Sequence, residues 1–132
     1  MCVCLNLYDC VRVTSGFDYR TNYHPTAGEW VHLTYTYHGG TINQGATDKR
    51  VKFYVNGSRW GIQDHYTPGN NAALNLPSSS VVRINGKSGT NNIYVDMKVA
   101  NYRLFNRPLS ADEIWQLYAY DKEYFKISPD VV

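Results

Sequence analysis

Hydrolysis of a glycosidic bond by a retaining mechanism takes two carboxyl groups about 5 Å apart, flanking the bond to be cut. On a β-strand that spacing means acids at alternating positions, and the chain contains no Glu-x-Asp pattern. Glu29 stands alone before Trp30, Asp96 stands alone in its run, and Asp112-Glu113 fall where a helix would begin. Four histidines are present, His24, His32, His38 and His65, but no Gly-x-Ser-x-Gly elbow offers a nucleophile. Gly39-Gly40 is followed by no Gly-Lys-Ser/Thr, so it is not a phosphate loop. Cys2, Cys4 and Cys10 are odd in number, and the Cys-x-Cys has no second ligand pair at zinc spacing. They read as small apolar residues in a reduced environment. The expectation is a chain that is not an enzyme.

The elements that would carry any site are mostly strands. Val3–Tyr8 and Val11–Thr14 read as a strand pair, and Gly16–Gly28, with Pro25, reads as a loop. Trp30–Tyr37 is rich in aromatic and β-branched residues. Its alternation sets Val31, Leu33, Tyr35 and Tyr37 against Trp30, His32, Thr34 and Thr36. Val51–Ile62 carries Asn56-Gly57, the signature of a two-residue type I′ turn. That turn pairs Val55 with Ser58, Tyr54 with Arg59 and Phe53 with Trp60. It puts Val51, Phe53, Val55, Trp60 and Ile62 on a core face, with Lys52, Tyr54 and Arg59 opposite. Asn56-Gly57-Ser58 is also a glycosylation sequon and is read here as the turn. Gln63–Ser80 is expected to be a long loop, Val81–Ile84 a short strand, and Ile93–Phe105 one or two strands.

One helix closes the series. Ser110 as N-cap with Glu113 three residues on makes a capping box, and Leu109 and Ile114 are placed for a hydrophobic staple. Ile114, Leu117 and Tyr118 share a face, and Asp112 and Glu113 sit where the helix dipole favours acids. The helix is expected to be short, with 121–132 as a C-terminal tail.

The segment Tyr102-Arg-Leu-Phe-Asn-Arg-Pro-Leu-Ser-Ala-Asp-Glu-Ile-Trp-Gln-Leu-Tyr118 resembles the closing segment of laminin G-like domains with the concanavalin A-like jelly roll. Trp30–Gly39 resembles that family's strand ending in a Tyr-Asp-Gly turn, and Val51–Gly57 resembles the next strand and its hairpin. The resemblance spans roughly residues 28 to 120. The stretch Tyr118–Ser128 is similar to a narrower group, the laminin G-like domains of surface or fibre proteins of large algal viruses. The resemblance implies an all-β, antiparallel jelly-roll β-sandwich with one short C-terminal helix, residues 1–132 forming a single domain. About 29 residues precede the strand at Trp30, where the family usually carries further strands. The expectation is that first family strands are lacking and that an open sheet edge self-associates.

By the same resemblance, the function expected is recognition or adhesion, with a glycan or cell-surface protein as partner. Aromatic faces stack on sugar C–H surfaces while Asn and His bond hydroxyls, which points to Tyr37, His38, Asp64, His65, Tyr66 and Asn70. Some relatives hold calcium at the sandwich rim. Asp48 and Asp64 are the candidates for it here, although the family's Tyr-Asp-Gly turn reads Tyr37-His38-Gly39. No other cofactor is implied. The alternative is a structural or assembly domain of a viral fibre or capsid-associated protein, placed at a virion surface or outside the cell as part of a larger protein.

The bulk numbers fit one globular domain. The 132 residues are 43% hydrophobic and 18% charged, so the chain can bury a core. A net charge of +2 does not argue for nucleic acid. No apolar run reaches the ~20 residues of a membrane-spanning helix. The start of the chain has no basic, apolar and small-residue order, so no signal peptide is expected. Twelve tyrosines against four phenylalanines suit half-exposed strands.

Overall fold

The computed structural model describes residues 2–5, 9–13, 17–26, 28–38, 51–61, 63–66 and 97–127. Among the described residues, seven strands and one helix follow in chain order: β1 (Cys2–Leu5), β2 (Asp9–Val13), β3 (Phe17–Arg20), β4 (Leu33–Tyr37), β5 (Val51–Val55), β6 (Ser58–Trp60), β7 (Gln63–Tyr66) and α1 (Ala111–Ile127). They form a four-stranded sheet, β1-β2-β3-β7, and a three-stranded sheet, β4-β5-β6. Every pairing is antiparallel.

The β5–β6 hairpin follows its turn residues. Asn56 and Gly57 have φ of 49° and 77°, the left-handed pair that a type I′ turn requires. The register is the expected one: Val55 opposite Ser58, Tyr54 opposite Arg59, Phe53 opposite Trp60. Asn56 adds a clip. Its backbone N–H donates to the His32 carbonyl at 2.8 Å, and its Oδ1 accepts the His32 N–H at 3.0 Å. This bonding carries the β4–β5 pairing past Leu33, which is opposite Val55.

The faces differ from expectation at two places. Tyr54, assigned to the outer face, is buried with Leu109 and Ile114, and Leu117 packs against the group. β5 is the central strand and is covered on both sides, so Val51, Phe53 and Val55 are buried on one face and Tyr54 on the other. Trp60, assigned to the core, is 37% exposed, because β6 is a three-residue edge strand whose residues all face solvent. Ile62 lies outside the described residues.

Helix α1 starts as its sequence dictates. The Glu113 N–H donates to Ser110 Oγ at 3.2 Å, and the Ser110 N–H donates to Glu113 Oε2 at 2.8 Å, closing the capping box. Leu109 and Ile114, the two ends of the staple, are both buried. Full burial of Ile114 contributes on the order of 2 kcal/mol. The helix is longer than expected and runs through Ile127, into the stretch read as a tail. Its apolar stripe simply continues: Phe125 stacks on Trp30 with ring centroids 4.7 Å apart.

Two stretches read as loop contain strands. β3 lies within Gly16–Gly28, and β7 opens the stretch from Gln63. Residues 97–105, read as part of a strand region, are described without one. The strand expected at Val81–Ile84 lies outside the described residues.

Candidate functional site

The residues expected to bind ligand are divided between the two sheets. Tyr37 ends β4 opposite Val51 and is half-buried, and His38 follows it, exposed. Asp64, His65 and Tyr66 are in β7, paired to β3, and not in a loop. Asp48, Asn70 and Asp96 lie outside the described residues. Asp18 pairs with Tyr66 and Tyr19 with Asp64, so His65 is the extra residue of a β-bulge. Bulges bend a strand and re-aim what it carries, and they gather near functional sites.

The β3–β7 ladder also explains a contact that the sequence did not announce. Arg20 pairs with Gln63. Tyr23, three residues past Arg20, reaches Trp60, three residues before Gln63. The two rings meet edge to face, centroids 5.3 Å apart and planes at 77°. The Trp60 indole N–H donates to Asn22 Oδ1 at 3.0 Å. Beside it, a Cβ built on Gly61 would meet no heavy atom within 4 Å, so the space there is open. Only the aromatic content of the Val51–Ile62 hairpin hinted at this group, and Asn22 and Tyr23 lie in the Gly16–Gly28 stretch read as loop.

A second polar group ties the helix to the segment before it. Asp121 is buried and takes both arms of the Arg103 guanidinium, at 2.6 and 3.0 Å. Asn101, at a left-handed φ of 51°, donates its amide to the same carboxylate at 3.1 Å. His32 Nε2 is 3.8 Å from Asp121 Oδ2. The Arg103 hydrogen bonds, against the opposing effect of burial, hold the Asp121 carboxyl below the usual aspartate range. Burial lowers the His32 pKa more than the nearby carboxylate raises it. A sequence signal did exist: Asp121 falls on the apolar stripe of Ile114, Leu117, Tyr118 and Phe125, where an acid has to be paired.

At the helix start, Arg107 grips Glu113 with both arms, at 2.9 and 2.6 Å. With that ion pair and the Ser110 N–H, Glu113 is lowered to about 2. A shallow groove of about 250 Å³ lies here, lined by Phe105, Arg107, Leu109, Glu113, Gln116 and Leu117. Among the described residues, no group of three or more His, Cys, Asp or Glu gathers as metal ligands would. No described helix is long and apolar enough to cross a membrane.

Comparison with known proteins gives one match. A laminin G-type family model, described as the concanavalin A-like lectin/glucanases superfamily, matches residues 9–115. The match ends at residue 115 and does not extend to the expectation of a viral source drawn from Tyr118–Ser128. No curated protein and no solved structure matches the chain.

Proposed function

The chain belongs to the concanavalin A-like lectin/glucanases superfamily, and from that premise we propose that it is a non-catalytic recognition module for carbohydrate or a glycan-bearing cell-surface ligand. The superfamily membership carries the reading, and the engagement of two described carboxylates supports its lectin side. Asp121 is engaged by Arg103 and Asn101, and Glu113 by Arg107 and its own helix cap. An acid held at about 2 is ionised near neutrality and has no proton to give a leaving group. In this reading the two sheets are the layers of a jelly-roll sandwich, and the bulged β7 with Tyr37 and His38 supplies ligand contacts. A rim calcium would draw on Asp48 and Asp64.

A glycan array probed with the full chain, with and without calcium, tests this. Calcium-dependent or calcium-independent binding to a defined set of glycans is expected. Silence under both conditions, or release of reducing ends from a β-glucan, overturns it.

A second reading has its own support. Val99, Tyr102, Leu104 and Phe105 are exposed together, with Trp115, Tyr120 and Tyr124 exposed on α1. Large exposed apolar groups of this kind mark protein contacts. They favour an assembly domain within a larger fibre or surface protein, and the viral source implied by the tail resemblance belongs to this reading. Light scattering of the chain separates the two: a concentration-dependent oligomer with a silent array favours assembly.

A further inference from the structure

We propose that Trp60 is the stacking platform of a saccharide subsite, with Asn22 as its polar partner and Tyr23 as its brace. The proposal rests on the recognition reading above and names where on the chain that recognition happens.

The case begins with how the indole is held. An exposed aromatic ring that swings freely must be ordered when a ligand arrives, and that ordering subtracts from affinity. Trp60 is already ordered. Its N–H is spent on Asn22 Oδ1 at 3.0 Å, and Tyr23 presses against the ring edge to face at 5.3 Å. Among the described residues, it is the one tryptophan of the three whose indole N–H has a fixed acceptor. Trp30 is stacked on Phe125 and Trp115 on Tyr118, both against the helix.

The surroundings fit a ligand. Trp60 stays 37% exposed while pinned. Asn22 is exposed, and with its Oδ1 accepting from Trp60 its amide NH2 keeps two donors to offer. A flat apolar surface beside an amide donor is what a pyranose ring requires. Its axial C–H face lies on the indole while a hydroxyl at the ring edge accepts from Asn22. The ligand class is therefore a hexopyranose that shows several C–H groups on one face, as β-galactosides and β-glucosides do.

The placement is also economical in sequence. β6 and β7 belong to different sheets, and Gly61 and residue 62 are all that separates them. Trp60 sits at that crossing, and Asn22-Tyr23 reach it from the end of β3. Anything bound on Trp60 lies at the end of the same β3–β7 ribbon that holds the His65 bulge.

The test uses the full chain on the glycan array with Trp60→Ala, Trp60→Phe and Asn22→Ala beside the wild type. A thermal melt of each variant checks that it is folded. If the proposal holds, wild type binds β-linked hexosides, Trp60→Ala weakens that binding about ten-fold or more, and Trp60→Phe keeps most of it. Asn22→Ala, which frees the ring and removes the donor, weakens it several-fold. In a Trp30→Phe/Trp115→Phe chain, the bound glycan shifts the emission of Trp60. If wild type binds glycans and a folded Trp60→Ala binds them equally well, the subsite is wrong while the recognition reading stands. If wild type binds none, both fall together.

Discussion

Asp121 and Trp60 are each pinned by hydrogen bonds, yet they stand in opposite circumstances. Asp121 is buried on the inner side of the helix and has Arg103, Asn101 and His32 around it. Trp60 stands open on an edge strand with one bond to Asn22. A buried carboxylate without partners would be costly, so its network is a condition of the fold. An exposed indole needs no partner to be tolerated. Its fixing therefore costs rotamer freedom without being required by the core. The comparison separates a region whose order the fold requires from one whose order, on the proposal above, serves a ligand.

The sharpest way to break this contrast is Asp121→Ala, which leaves Arg103 and Asn101 without their shared acceptor. A loss of about 3 kcal/mol is expected, read as a fall in Tm on the order of 10 °C. If Trp60→Ala lowers the Tm as much as Asp121→Ala does, the division into two regions is wrong.

Gly57→Ala is expected to follow, at about 2 kcal/mol. Gly57 has a φ of 77°, and an added Cβ would come within 2.8 Å of Trp115 and 2.9 Å of Tyr118. Both causes act where hairpin and helix meet, so urea unfolding should show a lower midpoint with the slope unchanged. Ser110→Ala, which opens the capping box, should lose about 1 kcal/mol and fray the first turn, visible in amide exchange at residues 111–113.

Acid sharpens the comparison further. His32 titrates below its ordinary value in the folded chain, so its contribution is complete above roughly pH 6.5 and declines as pH falls from there. Asp121 is also depressed, so its contribution is complete above roughly pH 4 and is lost as pH falls through its lower folded value. A melt series from pH 8 to pH 2 should show stability falling in these two windows, and His32→Gln should flatten only the first. The smallest effect belongs to the open region. Trp60→Phe should leave stability within about 0.5 kcal/mol of wild type and keep most of the ligand binding.

How much of this was legible beforehand follows from how local each signal is. The hairpin and the helix start are written in adjacent residues: Asn56-Gly57 sets the turn, and Ser110, Glu113, Leu109 and Ile114 set the cap. The superfamily was legible from three short segments in order. The burial of Tyr54 was not, because it depends on a helix more than fifty positions away landing on the second face of β5. Strand β3 was hidden for a similar reason. Phe17-Asp-Tyr-Arg20 is short and sits between loop residues, and only its partners β2 and β7 make it a strand. Of the expected ligand residues, Tyr37 and His38 lie at one sheet end, and Asp64, His65 and Tyr66 proved to be strand. Asn22 and Tyr23 could be assigned to Trp60 only once the Arg20–Gln63 register was known.

That register also bears on the order in which the molecule comes together. The β5–β6 hairpin closes over two residues and the β4–β5 pairing over a short span, whereas joining β3 to β7 brings position 20 to position 63. Closing the longer span is entropically dearer by on the order of 2 kcal/mol. Contacts between distant parts of a chain are slow to form and are favoured only after nearer ones hold the ends together. The crossing at Gly61 is then a late seam: the central hairpin can be complete while the first strands still search for their place. Asn22 and Trp60 meet only when that search ends, so their hydrogen bond is a reporter of a fully assembled chain.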